Sequence, residues 1–190
     1  MPINFNLEKL RRENNCSYYF ETGLGDSKNI KSYKVQSCLQ AVRSKFNKIY
    51  SMEIEKRLID LGIEAYKSEI ENERVTLIHD DSKNIGKYLD DNILDKKTLF
   101  FLDAHHRNSK TQLPIIHELN EISKLKNKNH IICIDDIRLL KGKKAWGLNV
   151  QEGYDSHLDH ILSVLSKINN KYKIKYLKGI KENDVLCAYL

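Results

Sequence analysis

The chain has 190 residues, of which 41% are hydrophobic and 31% charged, with a formal net charge of +6 and four cysteines. That length supplies one well-buried core and is short for two, so residues 1–190 are read as a single domain. The longest apolar runs, such as Ile131 to Ile134, fall far below the roughly 20 residues of a spanning helix, and the start Met-Pro-Ile-Asn-Phe-Asn lacks a secretory pattern; a cytoplasmic protein without a membrane partner is expected.

Cys16, Cys38, Cys133 and Cys187 show no CxxC spacing, which indicates neither a zinc site nor a disulfide framework. Lysines are mixed with acids along the whole chain, the pattern of a solvated surface rather than of one anion-binding block.

In chain order, residues 1–17 form a polar lead-in in which Phe5, Leu7 and Leu10 allow a short helix. Tyr18 to Phe20 read as a strand with Glu21 at its tip, followed by a turn through Gly23 and Gly25, where the backbone can approach a ligand closely. Val35, Cys38, Leu39, Val42 and Phe46 then recur at helical spacing, with Ser32 at the cap position. Lys48 to Ile54 is a second strand with Glu53 near its end, and Leu58, Ile59, Ile63, Tyr66 and Ile70 mark one further helix. Arg74 to His79 is a third strand ending in Asp80-Asp81-Ser82, with a short helix expected over Ile85 to Leu89.

Lys97 to Asp103 is a continuous apolar run, as in a strand covered on both faces. A helix from about Leu113 to Leu125 follows, with Thr111 near its start, Pro114 in its first turn and Ile115, Leu119 and Ile122 on one face. His130 to Asp135 is a fifth strand. Residues 138–155 lack periodicity and read as a long active-site loop. Ser156 to Asp159 is a capping box for a last helix. Tyr172 to Leu177 and Val185 to Tyr189 are too closely connected for a parallel crossover. The expectation is an α/β Rossmann-like, doubly wound, mostly parallel seven-stranded sheet with a C-terminal antiparallel hairpin.

Such sheets bind ligands beyond the carboxyl ends of their strands, where Glu21, Glu53, Asp81, Asp103, Asp135 and Asp136 are expected. Any one of these acids is adequately explained as a helix cap; six together are not. Asp103 and Asp135-Asp136 end adjacent strands about 5 Å apart. Carboxylates that close repel unless protonated or bridged by a cation, and oxygen ligands favour Mg2+. The alternative for Asp135-Asp136 is a turn followed by an ion pair with Arg138.

Over about residues 15–190 the sequence resembles the class I S-adenosylmethionine-dependent methyltransferases. Glu21-Thr-Gly-Leu-Gly looks like their first motif, Glu53 like the acid that holds the ribose hydroxyls, and Asp81 like the residue that reads the adenine amino group. The resemblance implies a donor-binding set of Glu21, Gly23, Gly25, Ser27, Glu53, Asp81, Ser82 and Asp103. Leu-Asp-Ala-His-His and Ile-Asp-Asp-Ile are similar to the metal segments of Mg2+-dependent O-methyltransferases acting on catechols and macrolide sugars. That implies Asp103, Asp135 and Asp136 as metal ligands, and His106, His105 and Asp103 as catalytic residues. A nicotinamide-binding site uses the same turn and ribose acid but wants a third small residue where Lys28 stands.

With no added substrate domain, specificity falls to the loops. Trp146 and Tyr154 suit stacking on a sugar or aromatic ring, and Arg138 with Lys141 to Lys144 suits a phosphate; Trp146 serves equally well to pin its loop. A sugar, glycan or sugar nucleotide is the leading acceptor class, with RNA as the second. A non-catalytic S-adenosylmethionine-binding module is the third reading.

Overall fold

The structure, a computed structural model, describes residues 3–25, 36–90, 96–104, 113–145 and 147–190. Its strands are β1 (Tyr18–Thr22), β2 (Lys48–Glu53), β3 (Val75–His79), β4 (Thr98–Leu102), β5 (Ile131–Ile134), the short β6 (Lys144–Ala145) and β7 (Leu148–Asn149), β8 (Lys173–Leu177) and β9 (Val185–Tyr189). The helices are α1 (Leu7–Glu13), α2 (Ser37–Arg43), α3 (Lys56–Ala65), α4 (Lys67–Glu71), α5 (Pro114–Ile122), α6 (Ile137–Leu140) and α7 (His157–Ile168), with a 3-10 turn over Ser82–Lys87.

The main sheet has seven strands in the order β3-β2-β1-β4-β5-β9-β8. β1 to β5 are parallel, and β9 lies antiparallel between β5 and β8. The winding reverses between β1 and β4, the point at which an open parallel sheet leaves a crevice for ligands. The doubly wound sheet with a reversed edge therefore forms as its apolar pattern predicts.

Alternation along each strand explains why both faces are covered. Tyr19, Leu99, Phe101, Ile131 and Cys133 turn to the side packed by α2 and α3, while Phe20, Phe100 and Ile132 turn to the side packed by α5 and α7. The central strands carry apolar residues at odd and even positions alike, so each face buries side chains worth about 1.5–3 kcal/mol apiece. All four cysteines are buried and free.

Two segments differ from the sequence expectation. The helix read over Leu58 to Ile70 is broken at Tyr66, which leaves helical geometry (φ −114°, ψ 25°) and buries its ring against the sheet. Residues 138–155 are not a featureless loop: α6 buries Ile137 and Leu140, and β6 and β7 form a two-stranded ribbon with Ala145 inside. Short apolar anchors of this kind are too few to produce a period. The capping box is present, with Ser156 Oγ accepting from the Asp159 amide at 3.1 Å. Ser32 and Thr111 lie outside the described residues. No described helix is long and apolar enough to cross a membrane.

Candidate functional site

The glycine turn after β1 is fixed by its neighbours. Gly23 donates to the Met52 carbonyl at 2.8 Å, and the Asp103 amide donates to the Thr22 carbonyl at 3.1 Å, drawing the tips of β1, β2 and β4 together. Gly23 has φ +93°, and a Cβ on it would lie 2.8 Å from the Asp103 carbonyl oxygen. Only glycine meets both conditions. Gly25 (φ +68°) donates its amide to Glu53 Oε2 at 3.2 Å, while Glu53 Oε1 accepts from the Glu55 amide at 3.0 Å. Glu53 is thus held rigidly beside the turn with lone pairs to spare for a diol.

Glu21 is placed differently. Its carboxylate is fully buried among Tyr19, Ser37 and Ser51, accepting from Ser51 Oγ at 2.5 Å and the Tyr19 hydroxyl at 2.9 Å. Burial pushes its pKa up, and the Ser37, Ser51 and Tyr19 hydroxyls oppose that shift. Its position braces β1 against β2 beneath the turn. Tyr19→Phe is expected to lose about 1–3 kcal/mol, because a buried acceptor is left short of a donor; urea denaturation checks this, and an unchanged midpoint would remove the bracing role.

Asp81 caps the 3-10 turn, its Oδ1 accepting from the Lys83 amide at 3.0 Å, and Ser82 is buried behind it. Asp80 is taken up locally: Asn84 and Tyr88 donate to it at 2.7 and 2.9 Å, holding its pKa down to about 2.

The second group of acids lies at the ends of β4 and β5. Asp103 is buried, neither carboxylate oxygen has a partner among the described residues, and burial, then the Asp135 charge, raises its pKa well above the usual range. Asp135 is pushed up to about 6, chiefly by burial; its Oδ1 accepts from the Asp136 amide at 2.8 Å and its Oδ2 has no partner among the described residues. Asp136 adopts a left-handed backbone (φ 58°) and pairs with Arg138 at 2.7 Å.

Arg138 also pairs with the fully buried side chain of Asp184, whose Oδ1 accepts from the Arg138 amide at 3.3 Å. Ligand oxygens of Asp135, Asp136 and Asp184 lie within 4.8 Å of one another. Two of the three acids expected to hold a metal are therefore in this group, and Asp103 stands beside it. The donor set, oxygen only with buried unpartnered oxygens on Asp103 and Asp135, fits a hard divalent cation.

Asp184 was missed because it sits in a hairpin connection. Topology carried the signal: β9 runs antiparallel, so its beginning shares a sheet edge with the ends of β4 and β5. Glu118 was missed because it falls inside an apolar helix; it stands on the same face as Ile115, Leu119 and Ile122 and is fully buried.

The expected substrate residues are engaged within the chain. Arg138 is bound to two carboxylates, and Tyr154 stacks on His160 at 4.2 Å with its hydroxyl 3.3 Å from Ser163 Oγ. Ser27, His105, His106 and Trp146 lie outside the described residues.

The strand order, with the winding reversal between β1 and β4 and the antiparallel β9, is the Rossmann-like fold also seen in solved methyltransferases. Solved structures agree. A cofactor-bound protein from MTB, Rv0187, superposes with a TM-score of 0.61 at 12% identity, over 96% of this chain and 77% of that one. An O-methyltransferase from Bacillus cereus in complex with SAH gives 0.57 at 10% identity, over 97% and 79%. A Clostridium thermocellum protein described as an rRNA methylase gives 0.54 at 16% identity, over 100% and 99%. No protein-family model and no curated protein matches the chain.

Proposed function

We propose that the protein is an S-adenosylmethionine-dependent O-methyltransferase acting on a hydroxyl of a small molecule, in the first place a sugar, glycan or sugar nucleotide, with Mg2+ assistance. The observation that carries this reading is the juxtaposition, on one sheet edge, of a glycine turn locked to Glu53 and the buried Asp103 and Asp135, which carry oxygens without a partner among the described residues. Glu53 accepts the ribose hydroxyls, Asp81 the adenine amino group, and the Gly23 backbone faces the methionine part of the donor. Asp135 and Asp136, with Asp103 or Asp184, would hold Mg2+, which acidifies and orients an acceptor hydroxyl. His106, or His105 in its place, takes the hydroxyl proton as the oxygen–carbon bond forms and the sulfur–carbon bond breaks.

RNA is the second acceptor class. It is favoured by the Clostridium thermocellum structure described as an rRNA methylase, of which this chain covers 99%, against 75–79% for the other solved structures compared. RNA binding that weakens steeply with salt would select it.

Calorimetric titration with S-adenosylmethionine, with and without Mg2+, tests the donor reading. Wild type is expected to bind the donor, and an Asp135→Ala, Asp136→Ala double variant to lose the Mg2+ response. Absence of donor binding would sink the methyltransferase reading. Binding without methyl transfer to a panel of sugars, sugar nucleotides, catechols and RNA would leave a non-catalytic module. EDTA-resistant transfer would remove the metal alone.

A further inference from the structure

Glu118 is a charged residue on the apolar face of α5, fully buried, with neither carboxylate oxygen hydrogen-bonded among the described residues. A carboxyl in that state is expensive to keep unless it has work to do. Its polar surroundings are the Thr22 and Ser82 hydroxyls, which stand close enough to oppose the upward shift that burial gives its pKa, to about 7. Thr22 immediately precedes the glycine turn, and Ser82 follows Asp81. The carboxyl therefore lies behind the two segments that flank the proposed donor pocket.

We propose that Glu118 is a positioning residue for the methyl-donor pocket: its carboxyl gathers the Thr22 and Ser82 hydroxyls and thereby sets the spacing between the glycine turn and the Asp81 cap. This rests on the methyl-donor reading above and adds to it a residue outside the donor-binding set. Ionised, the carboxylate has lone pairs for both hydroxyls at once; protonated, it must offer its own hydrogen to one of them. The ionised form therefore defines the pocket.

Among the described residues few other charges act on it. Asp81 from the 3-10 turn pushes the Glu118 pKa further up. Asp80 and Lys87 of that segment pair with each other at 3.5 Å, and His117 and Glu121 of α5 pair at 3.9 Å. Glu21 of β1 is bound to Tyr19 and Ser51, while His157 and His160 of α7 face the Leu148 carbonyl and the Tyr154 ring.

The sign for folding follows from the raised pKa. Between about 4.5 and about 7 the folded chain keeps a proton that the unfolded chain has lost, so this residue's contribution to stability falls as pH rises through that window. Glu118→Gln is expected to make the fall with pH shallower than in wild type, leaving the part contributed by Asp135 and the other raised carboxyls, in a thermal-unfolding series of the free protein.

Donor binding supplies the decisive measurement. Calorimetry with S-adenosylmethionine and with S-adenosylhomocysteine from pH 6 to 8.5 is expected to show wild-type affinity rising severalfold through pH 7 for both ligands. Glu118→Gln, which keeps a polar group, should bind with a flat profile, and Glu118→Leu should bind at least tenfold more weakly than Glu118→Gln. Matching profiles in wild type and Glu118→Gln, or wild-type affinity in Glu118→Leu, would overturn the positioning role. A rise seen with the cationic donor alone would assign the effect to sulfonium charge and also overturn it. No binding of either ligand by wild type overturns the donor reading and this inference with it.

Discussion

Gly23→Ala is expected to be strongly damaging for a single added methyl, lowering stability by about 2–6 kcal/mol and removing donor binding. Two separate penalties meet there. An L-residue held at φ +93° carries backbone strain of roughly 1–3 kcal/mol. The added Cβ would also sit 2.8 Å from the Asp103 carbonyl oxygen, a backbone atom that cannot swing aside, and overpacking of that kind costs about 1–3 kcal/mol more.

Gly153 separates the two terms. It has the same φ, +93°, yet among the described residues nothing lies within 4 Å of a Cβ built on it. Gly153→Ala should therefore lose only the strain, about 1–3 kcal/mol, and leave donor binding intact. Urea denaturation of both variants, with calorimetry of S-adenosylmethionine binding, measures the difference. Equal losses would mean that the approach of β1 to β4 is not what demands glycine at 23.

The same turn shows why part of the candidate site's placement was legible in sequence. A glycine pair after an apolar run, with an acid at the end of the next strand, is a local pattern, and parallel pairing converts it directly into a shared edge. Asp103 and Asp135 were legible for the same reason, each following a continuous apolar strand. Asp184 and Glu118 belong to other kinds of order.

Asp184 reaches the cluster through strand direction, a property of the whole sheet that no local spacing records. Glu118 is disguised by the helix around it, where one acid among Ile115, Leu119 and Ile122 reads as surface until its burial is seen. Arg138 and Tyr154, expected at the substrate, illustrate a third kind of order. Arg138 and Tyr154 are chemically suited to bind a phosphate or a ring, but nearer partners in the fold already engage them. Composition tells what a side chain can do and leaves open whether something closer has taken it.

Arg138 is the sharper case, because its pairing bears on the metal. Its guanidinium is the positive partner of Asp136 and the buried Asp184, next to an Asp135 whose pKa is already pushed up to about 6. Replacing it with methionine keeps the volume of the stem and removes the charge. Three carboxylates with oxygens within 4.8 Å would then face one another without a cation. Breaking a buried ion pair from one side costs about 3–5 kcal/mol, and the partial exposure of Arg138 lowers the expectation to about 2–4 kcal/mol.

The loss in Arg138→Met should shrink when Mg2+ is added, since a ligand bound only by the folded state stabilises it by mass action. Mg2+ affinity should also exceed that of wild type by about tenfold or more, because a competing positive charge has gone. Adding Asp184→Asn to that variant should cancel much of the Mg2+ response by removing one oxygen charge from the cluster. Thermal unfolding across a Mg2+ series, with calorimetry on all three proteins, checks each step. A variant destabilised but indifferent to Mg2+ would identify the acids as an arginine-neutralised turn and remove the divalent cation from the proposed mechanism. A Mg2+ response in Arg138→Met larger than in wild type would instead make Arg138 the residue that sets how tightly the site holds its metal.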